Sequence, residues 1–209
     1  MLLTLEFQNK KVSIMPIIRG FTDEKTHLRQ TFNELKPDAV AISISAGEYA
    51  GIKDADENKE FDNEPSSYDE IYMNGLRNFG EVKAPPPCWF EINRLCKEDN
   101  IPIRPIDMSE EEFTDAYCNL VSTIDLLKYS FKIKRLRKTK LKAKSAEEFV
   151  TKLDNITNSI KGFHKLETKR EVHIVKKLQE LGDEYGNILA IVEYERARGV
   201  YEKFKNNQK

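Results

Sequence analysis

Residues 187–200 read NILAIVEYERARGV. Ile188 to Val192 form an apolar run long enough for one strand, and the chain then turns charged at Glu193, Glu195, Arg196 and Arg198. An apolar run without alternation is what a strand presents when helices cover both faces of a parallel sheet. In open α/β sheets, ligands bind outside the carboxyl ends of the strands. The charges after Val192 therefore have two readings: site residues, or the polar exit of a strand from a core.

Working outward, a second run of the same kind, AVAISIS at 39–45, follows the helix stop KPD at 36–38. Before it, Thr22 caps a helix whose apolar positions are Leu28, Phe32 and Leu35. Leu2–Phe7 and Val12–Ile18 read as a β-hairpin across QNKK. Strand, helix and strand within this span match a βαβ unit with a parallel pair. Ser67 and Glu70 make a capping-box pattern for a short helix ending by Gly80. After the rigid connector APPP at 84–87, Trp89, Ile92, Leu95 and Cys96 form a helical core stripe. IPIRPID at 101–107 reads as a strand whose two prolines favour an edge or an irregular strand. Near the end, Thr168 and Glu171 cap a helix that Gly182 and Gly186 close.

Between residues 109 and 164 the periodicity changes. Ser109 with Glu112 opens a helix in which Phe113, Tyr117, Leu120, Ile124, Leu127 and Phe131 recur in steps of four and three. Ser145 with Glu148 opens another with Phe149, Leu153, Ile156, Ile160 and Phe163 in the same rhythm. Two such seams predict an antiparallel helical hairpin, projecting as an arm with a basic linker at its tip. The expected class is thus α/β: a central mixed β-sheet flanked by helices, from 1–108 and 165–209, with the hairpin inserted at 109–164.

The chain has 209 residues, 39% hydrophobic and 33% charged, with a formal net charge of −1. That near-neutral sum hides segregation, so only local charge arguments apply. Residues 54–70 carry eight acids and one base, Lys59, whereas FKIKRLRKTKLKAK at 131–144 carries eight bases and no acid. The acidic stretch places Asp54, Asp56 and Asn58 as a calcium loop would, but Lys59 stands at the turn glycine and Pro65 at the closing glutamate, so 46–66 reads as a solvated loop. Cys88, Cys96 and Cys118 lack CxxC spacing and point to a reducing compartment. MLLTLEFQNKK turns polar too soon for a secretory core, and no apolar run approaches the ~20 residues of a membrane span. A cytoplasmic location is expected.

Several of these segments, in order, resemble the TraB family, which belongs with the ChaN, GumN and Tiki proteins in one α/β superfamily. FQNKKVSIMPIIRG resembles its opening hairpin, and LKPDAVAISISAGEY its "-PD-VAVEL---RY". PPPCWFEINRLCKEDNIPIRPID resembles its proline-led helix feeding a strand that ends in Asp. KREVHIVKKLQEL resembles its "RD--MA--L" helix, and NILAIVEYERARGV its "-VLAVVGAGHVPGI". The likeness spans most of the chain except the acidic loop and the arm. In the Tiki relatives it implies metal-dependent hydrolysis built on two histidines. This chain departs at both: Arg196 falls at the second, and Arg19 about where the first belongs. Glu193 and Glu195 replace glycines and Ser43 replaces a Glu, whereas Glu91 and Asp107 are kept. Arginine offers a metal no lone pair, so no metal or other cofactor is expected. His27, His164 and His173 read as surface or satisfied imidazoles.

Three functional expectations follow. Arg19 and Arg196, with Ser43, Glu91, Asp107, Glu193 and Glu195, would line a crevice for a small anion, or else the acids pair with the arginines as a structural network. The basic residues Lys134, Arg135, Arg137, Lys138, Lys140 and Lys142 would meet the 54–70 loop of a second copy, forming a homodimer. Nucleic acid is less favoured because no aromatic interleaves the basic run beyond Phe131, and an anionic membrane surface or an inert tip are the other readings. A metal-free hydrolase or transferase is the third, without a GxSxG elbow or a placed Cys–His pair to support it.

Overall fold

The computed structural model describes residues 2–7, 10–53, 55, 65–139 and 141–207. Its centre is a five-stranded mixed sheet in the order β1-β2-β5-β3-β4. The strands are β1 (Leu3–Phe7), β2 (Lys10–Ile17), β3 (Ala39–Ile42), β4 (Ile103–Pro105) and β5 (Asn187–Glu193). β1 and β2 form the expected antiparallel hairpin, with Leu5 opposite Val12. The other pairings are parallel: β2 with β5 (Met15 opposite Ile191), β5 with β3 (Ala190 opposite Ala41), and β3 with β4. The proline-bearing β4 is indeed an edge, where a missing backbone donor does least harm.

Helices cover both faces of the sheet, which is why the two central strands carry no polar alternation. On one face α1 (Glu24–Leu35) and α4 (Pro87–Asp99) set Leu28, Phe32, Trp89, Ile92 and Leu95 against Met15, Ile17, Val40, Ile42, Leu189 and Ile191. On the other, α8 (Lys161–Glu184) and α9 (Tyr194–Asn206) set Ile174, Leu178, Val200 and Phe204 against Val12, Ile14, Ile188, Ala190 and Val192. Two more helices, α2 (Ala46–Lys53) and α3 (Ser67–Leu76), lie between β3 and α4. The loop expected over 46–66 therefore begins with a helix; positions 54 and 56–64 lie outside the described residues. Three helix starts also differ from expectation. Asp23, not Thr22, precedes α1. Ser66, whose Oγ accepts from the Asp69 N–H at 3.2 Å, caps α3 in place of Ser67. Thr168 lies inside α8, which runs through 164–165 without a break.

The stretch from 109 to 164 departs furthest. Where the periodicity predicts one helix over 113–131, the chain forms α5 (Glu110–Leu120) and α6 (Thr123–Leu136). The break is built by a reciprocal capping box between Ser122 and Asp125, with no room at Gly162 for a side chain: a Cβ there would stand 2.6 Å from the Asp125 carboxylate and 2.8 Å from the Leu120 carbonyl. The second helix likewise divides, α7 (Ala146–Asn158) ending at Ser159 before α8 begins. α6 and α7 touch each other across the 137–145 link, and α7 also packs on α3, α8 and α9. Phe149, Val150 and Leu153 are buried there with Ile18, Tyr72 and Leu76. Burying each such side chain contributes roughly 1.5–3 kcal/mol, so α7 lies on the domain instead of projecting from it. Turning α6 onto the domain points part of the expected seam outward: Ile124, Leu127 and Phe131 are 63%, 67% and 70% exposed. No helix among the described residues is long and apolar enough to cross a membrane.

Candidate functional site

Because β2, β3, β4 and β5 run parallel, the residues that follow them emerge along one edge of the sheet. Arg19 follows β2, Ser43 follows β3, Asp107 follows β4, and Glu193, Glu195 and Arg196 stand at the junction of β5 and α9. β2 and β3 lead on towards helices of one face, β4 and β5 towards helices of the other, the arrangement that opens a crevice at strand ends. α3, α5, α6, α7 and the start of α8 close over it. They leave a cavity of about 360 Å³ lined by Arg19, Ser43, Glu193, Glu195 and Arg196, together with Tyr68, Asp69, Tyr117, Tyr129, Asp154, Phe163, Glu167 and Arg170.

Arg19 and Arg196 thus share one cavity, but in different states. The Arg196 side chain is 7% exposed and surrounded by acids. Its Nη1 donates to Glu193 Oε2 at 2.8 Å, its Nε to Glu167 Oε1 at 2.5 Å, and Nη1 lies 3.8 Å from Asp107 Oδ2. Ser43 Oγ donates to the same Glu193 oxygen, and Arg170 Nη2 donates to Asp107. The structural network that the alternating Glu and Arg suggested is therefore present. Burial on its own would raise Asp107 and Glu167; the guanidiniums of Arg170 and Arg196 outweigh it and hold both carboxyls below their ordinary values. Arg19 is 40% exposed, donates from Nη2 to Asp69 at 3.0 Å and lies 5.2 Å from the Tyr72 ring centroid. Asp69 is its sole ion-pair partner among the described residues.

Glu195 stands outside the network. Its Oε2 is buried without a hydrogen-bond partner among the described residues, as is the Tyr72 hydroxyl. Burial, then the charge of Glu193, pushes its carboxyl up to about 7. Asp154, another lining residue, is pushed up to about 6 by burial and then by Glu167, while the Asn158 amide donates to it at 2.8 Å. Burial also raises the Tyr68 and Tyr72 phenols. Aromatic rings wall the space: Tyr129 stacks on Phe163 at 4.8 Å and Tyr117 meets Phe163 edge-on.

Glu91 does not join the site. It sits on α4 and holds Arg29 and Arg94 in salt bridges of 2.9 and 2.8 Å. No three His, Cys, Asp or Glu side chains among the described residues are grouped to hold a metal ion. His27, on α1, is largely exposed, and His164 and His173 are on α8, away from the cavity lining. Of the basic residues, Lys134, Arg135 and Lys138 are exposed, and Lys152 Nζ donates to the Lys142 carbonyl at 2.9 Å. Arg137 pairs at 2.5 Å with Glu70 of the same chain, so one contact between the oppositely charged segments forms without a second copy. Lys140 and most of the 54–70 loop lie outside the described residues.

The site residues that sequence reasoning missed are Glu167, Arg170, Asp69, Asp154 and the tyrosines. Arg170 is the second residue of the KREVHIVKKLQEL motif and Glu167 lies one helical turn before it, a spacing that would have drawn attention to both. Tyr68, Asp69 and Asp154 carry no local signal, since only tertiary packing brings α3 and α7 over the strand ends. Compared with known proteins, the chain matches no protein-family model and no curated protein.

Proposed function

We propose that the protein is a cytosolic TraB-like binding domain whose strand-end crevice is repurposed to hold a small ligand bearing an anionic group. The observation that carries this reading is the cavity at the carboxyl ends of the parallel strands, with a half-exposed arginine on its wall. Arg19 is the receptor for the anionic group, because the donors of Arg196 are committed to Glu193 and Glu167. A guanidinium fork suits a carboxylate or phosphate, and the cavity volume falls at the lower end of the ~300–1,000 Å³ usual for ligand pockets. The resemblance supports the location, since Asp107, Arg170 and Arg196 come from three TraB-like segments and meet here.

The test is a thermal-shift screen with phosphate, sugar phosphates, nucleotides and carboxylates. Saturation at one hundred times Kd adds about 2.7 kcal/mol. At roughly 2–4 °C per kcal/mol for a chain this long, a true ligand raises Tm by about 5–11 °C. Arg19→Gln should abolish that shift while leaving the unliganded fold intact. Silence across all anionic classes overturns the reading.

One observation favours a second reading, an enzyme. A carboxyl held at about 7 in a cavity suits general acid–base work near neutral pH. Turnover lost in Glu195→Gln with ligand affinity retained would establish it.

A further inference from the structure

Charge bookkeeping within the cavity points beyond an anion. The lining residues include six carboxylates, Glu48, Asp69, Asp154, Glu167, Glu193 and Glu195, against three guanidiniums, Arg19, Arg170 and Arg196. The guanidiniums are matched: Arg19 to Asp69, Arg170 to Asp107, and Arg196 to Glu193 and Glu167. Among the described residues Glu195 and Asp154 have no ion-pair partner, and the buried Oε2 of Glu195 has no hydrogen-bond donor. A buried acceptor left unpaired has given up water without compensation, so a donor supplied by a ligand is strongly rewarded. Aromatic walls add to this, since a cation near a Tyr or Phe face is attracted by the ring quadrupole.

Resting on the binding reading above, we propose that the ligand is a small zwitterion, whose protonated amine seats against Glu195, with Asp154 a further carboxylate of the same cavity, while its acidic group meets Arg19. Arg19, Glu195 and Asp154 all line the one cavity, with Tyr68 on its wall, so both ends of the ligand lie in one compartment. The volume suits a molecule of amino-acid size. An ammonium would relieve the repulsion that Glu195 receives from Glu193 and Asp154 from Glu167. A dianion would instead bring a second negative charge against those carboxylates.

Calorimetric titration of the full chain with three length-matched series decides the matter: linear α,ω-dicarboxylates, ω-amino acids and α,ω-diamines of two to six carbons. The amino acids should bind at least tenfold more tightly than the dicarboxylates of equal length. Glu195→Gln should erase that preference, and Asp154→Asn should weaken it, with far-UV circular dichroism unchanged in both. Affinity of the best amino acid should improve about tenfold from pH 6 to pH 8, following the ionised fraction of a carboxyl at about 7. Dicarboxylates binding as well as the amino acids would overturn the amine seat and leave the Arg19 reading standing. Diamines binding best would overturn both. Binding by no member of the series overturns the zwitterion, while the anion screen decides the binding reading separately.

Discussion

Replacing Arg196 by alanine removes the cation on which three carboxylates converge. Glu193 and Glu167 lose hydrogen bonds of 2.8 and 2.5 Å, and Asp107 loses a guanidinium 3.8 Å away. Breaking a buried ion cluster by deleting one partner costs about 3–5 kcal/mol, because the charges left behind have given up water without compensation. Arg170 still holds Asp107 and lies 3.7 Å from Glu167, which moves the expectation to the lower end, about 3 kcal/mol. For this chain length that is a fall of roughly 6–12 °C in Tm.

The pH dependence separates this account from simple loss of packing. In the native protein Asp107 and Glu167 are held below their ordinary values, so their contribution is full above the ordinary carboxylate range and is lost as the pH falls from that range through their lower folded values. In Arg196→Ala part of that support is gone, and protonation becomes a relief for the stranded acids. The deficit measured by urea unfolding should therefore be largest at pH 7 and shrink towards pH 4.5. Adding Glu193→Gln and Glu167→Gln to an Arg196→Met background should recover more than half of the loss, since no charge is then left stranded. A deficit below about 1 kcal/mol at pH 7, or one that does not change with pH, would refute the reasoning.

Glu195→Gln should stabilise the unliganded protein: with its folded pKa raised from 4.5 to about 7, the wild type loses stability relative to the variant between those values and the gap stays level above, as melts from pH 4 to 9 would show. Gly75→Ala should destabilise despite the better helix former, because the new Cβ would lie 1.9 Å from the Phe149 ring; about 1–2 kcal/mol is expected in denaturant unfolding, with recovery in the double variant with Phe149→Leu. Leu153→Ala should cost about 2–5 kcal/mol and Leu127→Ala less than about 0.5, a contrast that tests which part of the helical seams is packed.

Sequence pattern was most informative where a single chain segment carried the whole reason for its conformation. The apolar runs ending at Ile42 and Val192 need no partner to be read as covered strands, and Pro102 before β4 with Pro105 in it favours an edge by the donors they lack. Capping boxes behave the same way, since Ser109 and Glu112 close theirs within four residues. The failures share a different cause. The 4-3 rhythm through Leu120, Ile124 and Leu127 is real, but Ser122 and Asp125 interrupt it with an equally local signal, an S-x-x-D box, and the tertiary fold turns α6 so that Asp125 is buried and Leu127 exposed. Periodicity reports that a face exists without reporting what it faces. The site divides along the same line. Arg19, Ser43, Asp107, Glu193, Glu195 and Arg196 were legible because strand ends are addresses in an α/β sheet. Glu167, Asp154 and the tyrosines reach the cavity on helices, and whether Arg196 is free to bind or already neutralised depends on Glu167, 29 residues earlier in the chain. That one contact is the reason the proposed receptor role passes to Arg19, and it leaves Glu195, one residue before the arginine, with a buried oxygen unpartnered among the described residues.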